Sequence, residues 1–317
     1  MVSSPQIGIK ITRLAGAGGL ALTLLALASP SAGASPLTGP PLAVGRYTTI
    51  KVPGGTKVTA EGISDSGTIV GCDNRNGVGR GFVGKGKKFT VLADPKAGTK
   101  GATCPSAINN LGVIVGQYGS ARFHGFVFDG THYTTIDEPQ AGHGIGEGTT
   151  AVNINDAGVI VGWYFTPKRA ERGFVLRNGK FTSVSFPGPA GAKNPSTILN
   201  GISDSGTMTG IFFDKAGDHI SFTDRNGRFR RISVPGAKIT SATCISERSG
   251  LIVGEYQVSR SAPSRGFTLH NGVYRTLRAV SGKKSTSPQC GNDHGDVVGF
   301  VFGINGSSSA FLFKPGK

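Results

Sequence analysis

Six copies of one motif divide this chain, and the last copy lacks its final segment while a matching segment stands unpartnered before the first. The motif reads Ile-x-Asp/Asn-x-Gly-x-Ile-Val-Gly at Ile63 to Gly71, Ile108 to Gly116, Ile154 to Gly162 and Ile202 to Gly210, and more loosely at Ile245 to Gly254 and Gly291 to Gly299. Its closing glycines lie 45, 46, 48, 44 and 45 residues apart, the period of propeller blades. Each copy continues to a phenylalanine, at 82, 126, 174, 222, 267 and 311, and five end in an aromatic strand such as Phe89 to Pro95 or Tyr133 to Pro139. After Phe311 no such strand follows, yet Tyr47 to Pro53 matches it. The expectation is an all-β chain: a six-bladed β-propeller of four-stranded blades, its ring closed where the N-terminal strand, Tyr47 to Pro53, completes the last blade.

Four strands per copy follow from apolar runs of four to seven residues, rich in Val, Ile, Phe, Tyr and Thr and bounded by turn residues. In the second copy they fall at Ala102 to Ile108, Val113 to Tyr118, Gly125 to Phe128 and Tyr133 to Asp137. Radial four-stranded blades leave only short edges. Turns such as Ser64-Asp65-Ser66-Gly67 put Ser or Asn first and Gly fourth, the pattern of a type I turn with a left-handed glycine. The glycine inside each second strand implies close approach of another group, read here as the phenylalanine of a neighbouring sheet. Asp65, Asp156, Asp204 and Asp293 read first as turn formers; the alternative is an acidic ring that binds a cation.

The first 34 residues carry Lys10 and Arg13, an apolar run from Leu14 to Ala28, and Ala32-Gly33-Ala34 before Ser35, as a secretory signal does. Residues 35–45 read as a linker and 46–317 as the propeller. The apolar run is shorter than the roughly 20 residues that a membrane helix needs, so no membrane span is expected in the mature chain, which should be secreted and monomeric. In an oxidising compartment four cysteines pair. Of three connectivities, Cys72 with Cys104 and Cys244 with Cys290 are favoured. The second is left open, because equivalent positions on neighbouring blades must come within about 4.4–6.8 Å.

Net charge is +16, or +14 once Lys10 and Arg13 are gone, a balance that attracts polyanions. Cations gather in expected loops: Lys85, Lys87 and Lys88; Lys168, Arg169 and Arg172; Arg228, Arg230 and Arg231; Lys283 and Lys284. A solvated surface explains them equally well. No recognition helix or nucleic-acid motif supports sequence-specific nucleic-acid binding. Tyr118, Tyr164, Phe212 and Tyr256 alternate onto the core side, whereas Trp163 points the other way. Trp163, His143 in its glycine-rich loop, Lys168, Arg169 and Arg172 are the candidate ligand residues. The six histidines share no metal-ligand spacing, and no nucleophile elbow or phosphate loop occurs. Asp73 to Gly77 and Asn292 to Asp296 lack the glutamate that a calcium loop needs. No catalytic residue, cofactor or metal is assigned.

The run Ile-Asn-Asp-Ala-Gly-Val-Ile-Val-Gly-Trp-Tyr at Ile154 to Tyr164, with the following Gly-Phe-Val and aromatic strand, resembles the bacterial extracellular HAF repeat family over essentially Tyr47 to Phe313. The eponymous His-Ala-Phe appears as His124-Gly125-Phe126, Ser309-Ala310-Phe311, or Arg-Gly-Phe at Arg80, Arg172 and Arg265. The resemblance implies secretion and a repeat scaffold, and no catalytic residues. The expected function is a secreted, non-catalytic binding or cell-envelope protein that contacts anionic glycan, wall polymer or protein. The alternative is an extracellular hydrolase or lyase of acidic polysaccharide working at a channel mouth.

Overall fold

The structure is a computed structural model that describes residues 40–186, 196–213, 219–278, 285–303 and 307–316. The signal segment, its cleavage point before Ser35, Lys283 and Lys284 lie outside the described residues. The described residues form twenty-four strands, of which the first is β1 (Gly45–Thr49). Unit 1 comprises β2 (Thr56–Ile63), β3 (Ile69–Arg75), β4 (Val78–Lys85) and β5 (Lys88–Leu92). Unit 2 comprises β6 (Ala102–Ile108), β7 (Ile114–Gly119), β8 (Phe123–Phe128) and β9 (Tyr133–Ile136). Unit 3 holds β10 (Gly148–Ile154), β11 (Ile160–Phe165), β12 (Glu171–Arg177) and β13 (Lys180–Val184). Unit 4 holds β14 (Thr197–Ile202), β15 (Met208–Phe213), β16 (His219–Arg225) and β17 (Arg228–Ile232). Unit 5 is β18 (Ile239–Ile245), β19 (Ile252–Gln257), β20 (Arg265–His270) and β21 (Val273–Leu277). Unit 6 has three strands of its own, β22 (Ser285–Gly291), β23 (Val297–Phe302) and β24 (Ser308–Pro315).

Within each unit the strands pair antiparallel in chain order, and a single parallel pair, Gly148 with Phe123, joins units 2 and 3 into one sheet. β1 supplies the fourth strand of unit 6, pairing antiparallel with β24 from Gly45↔Pro315 to Thr49↔Phe311. The strand begins two residues before Tyr47 and ends at Thr49. Ile50 and Val52 then turn into the core, so Lys51 to Pro53 belong to the connection to unit 1. The expected linker is docked where it is described: Thr276 on β21 donates its N–H to Pro41 and its carbonyl accepts from Ala43. Consecutive units pack in order, and β2 of unit 1 lies against β22, β23 and β24 of unit 6.

Every first strand carries a β-bulge at the same place, as between Ala60 and Gly62 or Ala242 and Cys244. The strand-b glycine answers that bulge. A Cβ at Gly162 would strike the carbonyl of Thr150 on β10 and stand 2.9 Å from the Phe174 ring. Phe174 sits directly opposite on β12 of the same sheet, which corrects the expectation that the phenylalanine comes from a neighbouring sheet. The phenylalanines at 82, 126, 174, 222 and 267 are fully enclosed.

Both expected disulfides are present, and each joins neighbouring units. Cys72 on β3 meets Cys104 on β6 with their Cα atoms 5.4 Å apart. Equivalent positions elsewhere use other chemistry: Thr150 donates to Gln117 at 2.8 Å, Trp163 packs with Ile198, and Ser287 hydrogen-bonds Glu255. Cys244 and Cys290 occupy the same position of adjacent units, yet their Cα atoms are 5.1 Å apart. They can meet because the first strands converge there. A Cβ at Gly62 would lie 2.9 Å from Ala107 Cα, and one at Gly201 3.1 Å from Cys244 Cα.

Candidate functional site

The turns between first and second strands assemble one mouth where the first strands converge. Their first residue folds the turn: Asn109 Oδ1 accepts the N–H groups of Leu111 and Val113, while Nδ2 donates to the Asn155 carbonyl of the next unit. Asn155 repeats this toward Ser203, and Asn292 toward Ser64. Their second residue makes a relay between units. Asp65 N–H donates to Asn110 Oδ1 (2.7 Å), Asn110 N–H to Asp156 (2.8 Å), and Asp156 N–H to Asp204 (3.0 Å). Asp204 N–H donates to the Glu247 carbonyl (2.8 Å), Ser249 N–H to Asp293 (2.7 Å), and Asp293 N–H back to Asp65 (2.9 Å). The relay returns to its starting residue.

Five carboxylates therefore share this mouth, and the chain neutralises them from within. Unit 5 has a longer turn that adds Arg248, whose guanidinium lies 3.8 Å from Asp65, 3.7 Å from Asp156 and 3.9 Å from Asp293. Asn110 Nδ2, with two hydrogens to give, lies within hydrogen-bonding reach of Asp65, Asp156 and Glu247. Burial and the charges of Asp156, Asp204 and Asp65 push the Glu247 carboxyl up to about 9, so it is protonated at neutral pH. Desolvation raises Asp293 too, but N–H donors from Ser249 and Arg248 outweigh it and the net direction is downward. Oxygens of Asp156, Asp204 and Glu247 lie within 4.8 Å of one another and are the group that could hold a metal. They fit a divalent ion poorly, because Arg248 pairs with Asp156, Asp156 and Asp204 each accept a backbone N–H, and Glu247 keeps its proton. Beneath them, Ile63, Ile108, Ile154 and Ile245 line a cavity of about 20 Å³, room for roughly one water.

The opposite face carries the second-to-third strand loops. There the loop around Gly142 packs on the loop after β11: Gly142 N–H donates to Phe165, and Arg169 donates to the Ile145 carbonyl and lies 3.4 Å from Glu147. This brings His143, Lys168 and Arg169 to one exposed surface, with Arg172 partly exposed on β12. Trp163 does face away from Tyr164, but it is only 5% exposed and packs among Phe165, Ile198 and Ile211. An indole enclosed between two units has no face to offer a ligand. Tyr118, Tyr164, Phe212 and Tyr256 are buried, as alternation predicts.

Unit 2 holds a group that the sequence did not bring together. His124 Nδ1 is 2.8 Å from Asp137, Arg122 is 3.7 Å from the same carboxylate, and the Tyr118 ring stacks on His124 at 5.1 Å. Asp137, 13 or more residues beyond the other three, meets them because β7, β8 and the end of β9 lie side by side. The Asp73 and Asn292 segments are turns: Asp73 is gripped by Arg75, and Asn292 accepts the N–H groups of His294 and Asp296.

Several cations expected in loops stand on strands. Lys88, Arg228, Arg230 and Arg231 lie on the outermost strands, β5 and β17, with their side chains exposed. On β17 Phe229 is half-buried and Ile232 buried, and as an outermost strand it leaves Arg230 and Arg231, which point to opposite faces, both in solvent.

No family model and no curated protein sequence matches this chain. Among solved structures it superposes on AofleA from Arthrobotrys oligospora with a TM-score of 0.52 at 10% identity, covering 86% of this chain and 87% of that one. A variant of Aleuria aurantia lectin solved with Fucα1-6GlcNAc gives a TM-score of 0.48 at 12% identity, over 83% and 96%. A further Aleuria aurantia lectin structure, described as a six-bladed β-propeller, gives 0.38 at 12% identity, over 86% and 78%; neither Aleuria superposition adds weight to the first. At such identities the likeness is one of fold, and the chain is all-β with propeller neighbours. Among the described residues no helix is long and apolar enough to cross a membrane.

Proposed function

We propose that the six units are the blades of one closed propeller, an HAF-type repeat protein that is secreted and acts by binding glycans, anionic ones above all, without catalysis. The observation that carries this reading is where the positive charge sits. Ion pairs hold Arg75, Arg122, Arg169, Arg248 and Lys314, whereas exposed cations such as Lys88, Lys180, Arg228 and Arg230 have no carboxylate partner among the described residues. The cavity beneath the carboxylate mouth and the one beside Tyr256 measure about 20 and 10 Å³, and neither admits a ligand of sugar size. The lectins among the structural neighbours suit that reading. Retention of the mature chain on dextran sulfate, against neutral dextran, tests it. Binding at low salt should be released as salt rises; equal behaviour on both matrices would reject it.

A second reading, a hydrolase or lyase of acidic polysaccharide, is favoured by the His124, Asp137, Arg122 and Tyr118 group, because a carboxylate-oriented imidazole is a general base in waiting. Shortening of an acidic polysaccharide by the wild type, lost in His124→Ala, would establish it in place of the first.

A further inference from the structure

The hairpins that join third to fourth strands repeat one electrostatic feature. Three residues beyond the enclosed phenylalanine, a residue of the third strand faces the residue just before the fourth strand's aromatic. In unit 1 the facing residues are Lys85 and Lys88, in unit 3 Arg177 and Lys180, in unit 4 Arg225 and Arg228, and in unit 6 Lys314 and Arg46. Like charges directly opposite one another destabilise a hairpin, yet four of six units place them at one position, with every member exposed. The six outer strands, β1, β5, β9, β13, β17 and β21, contain Arg46, Lys88, Lys180, Arg228, Arg230, Arg231 and Arg275 and no Asp or Glu. Charge guards an open sheet edge against aggregation, lysine above all, but that purpose does not call for like charges set directly opposite one another, an arrangement that suits an anionic ligand.

Units 3 and 4 are neighbours, and there the pairs are unengaged. Lys85 donates to the Ser66 carbonyl and Lys314 pairs with Asp296 at 3.0 Å, whereas Arg177, Lys180, Arg225 and Arg228 have no anionic partner among the described residues. Arg230 and Arg231 extend the same edge. The Lys85 contact also places these hairpins on the same face as the carboxylate mouth, so a flat anionic membrane pressed on that face would meet the five acids at its centre. A linear polymer that follows the rim avoids them. The aromatic rings beside the cations turn inward, Phe181 onto Phe174 at 5.2 Å and Phe229 onto Phe222 at 5.3 Å, so no ring is presented for stacking bases. The outer edges of β13 and β17 do present free backbone N–H and C=O groups that suit sugar hydroxyls.

Resting on the glycan-binding reading above, we infer that a linear anionic polysaccharide binds along the outer rim of units 3 and 4, its acidic groups held by the opposed pairs Arg177/Lys180 and Arg225/Arg228. The test compares two fourfold variants of the full mature chain on dextran sulfate. One is Arg177→Gln, Lys180→Gln, Arg225→Gln and Arg228→Gln; the other takes the same charge from the opposite face by Lys51→Gln, Lys96→Gln, Lys100→Gln and Lys238→Gln. The rim variant should lose roughly tenfold or more in affinity at 50 mM salt and show a shallower dependence on salt, while the control loses less than about threefold. Equal losses would overturn the rim site and leave the glycan reading standing; a wild type that ignores dextran sulfate would remove that reading itself. A rim variant that aggregates with binding unchanged would show edge protection instead, and overturn the site. Competition by duplex DNA or phosphatidylglycerol vesicles as effective as by dextran sulfate would overturn the choice of polysaccharide.

Discussion

Glu61 occupies the bulge of β2 with its carboxyl enclosed, and burial pushes it up to about 7 despite a hydrogen bond from Thr59. Its proton is held more tightly in the folded than in the unfolded chain, so its contribution to stability is complete below about pH 4.5 and declines as pH rises toward 7. Chemical denaturation across that window should show a loss on the order of 3 kcal/mol attributable to this group. Glu61→Gln should flatten the profile, and an unchanged slope would show that Glu61 is solvated. Gly162→Ala tests a second single-residue claim: the new methyl meets the Thr150 carbonyl and the Phe174 ring, at a cost of about 1–3 kcal/mol, read as a lower Tm. Trp163 shows why residue roles were only half legible. Alternation gave the side of the sheet on which it lies, but whether that side faces solvent or the next unit depends on blade packing, which no local pattern encodes.

At the scale of elements, β1 is a strand of unit 6 that lies at the other end of the chain. Tyr47 packs on Phe311 and Phe313 with ring centroids 5.4 and 5.0 Å apart, and the preceding segment is tied to β21. Removing residues through Thr49 should expose the β24 edge, lower the Tm and shift the chain toward aggregates in size-exclusion chromatography. A deletion that unfolds at the wild-type temperature as a monomer would show that β1 is dispensable. Cys72 to Cys104 ties β3 to β6, and replacing both by Ala should cost about 2–4 kcal/mol. Element positions were readable because the motif recurs six times: β6 falls where the second copy predicts, and strand order follows chain order. The arginines on β17, which composition alone assigns to loops, stand on an outermost strand that is open to solvent on both faces at Arg230 and Arg231.

Across the whole molecule, the units are linked by turns that hydrogen-bond the next unit's side chains, and the repeated Asp is what makes this possible. The sequence showed those residues as turn formers; their partners, about 45 residues away, become visible only once the units are packed side by side. Arg248 escaped notice because it lies in the one turn that departs from the motif, and that departure is its role: a single inserted cation faces Asp65, Asp156 and Asp293 together. Its side chain is 65% exposed, so solvent weakens each pair, and Arg248→Ala should cost about 1–2 kcal/mol at neutral pH and low salt. The loss should shrink at high salt, which screens their repulsion. Glu247, pushed up to about 9, gives the wild type a decline in stability with rising pH between about 4.5 and 9. Arg248→Lys should recover most of the difference. Denaturation of the three proteins at two salt concentrations separates the cases: a loss indifferent to salt would mean that Arg248 acts through packing, and that the cluster of carboxylates is stable without its cation.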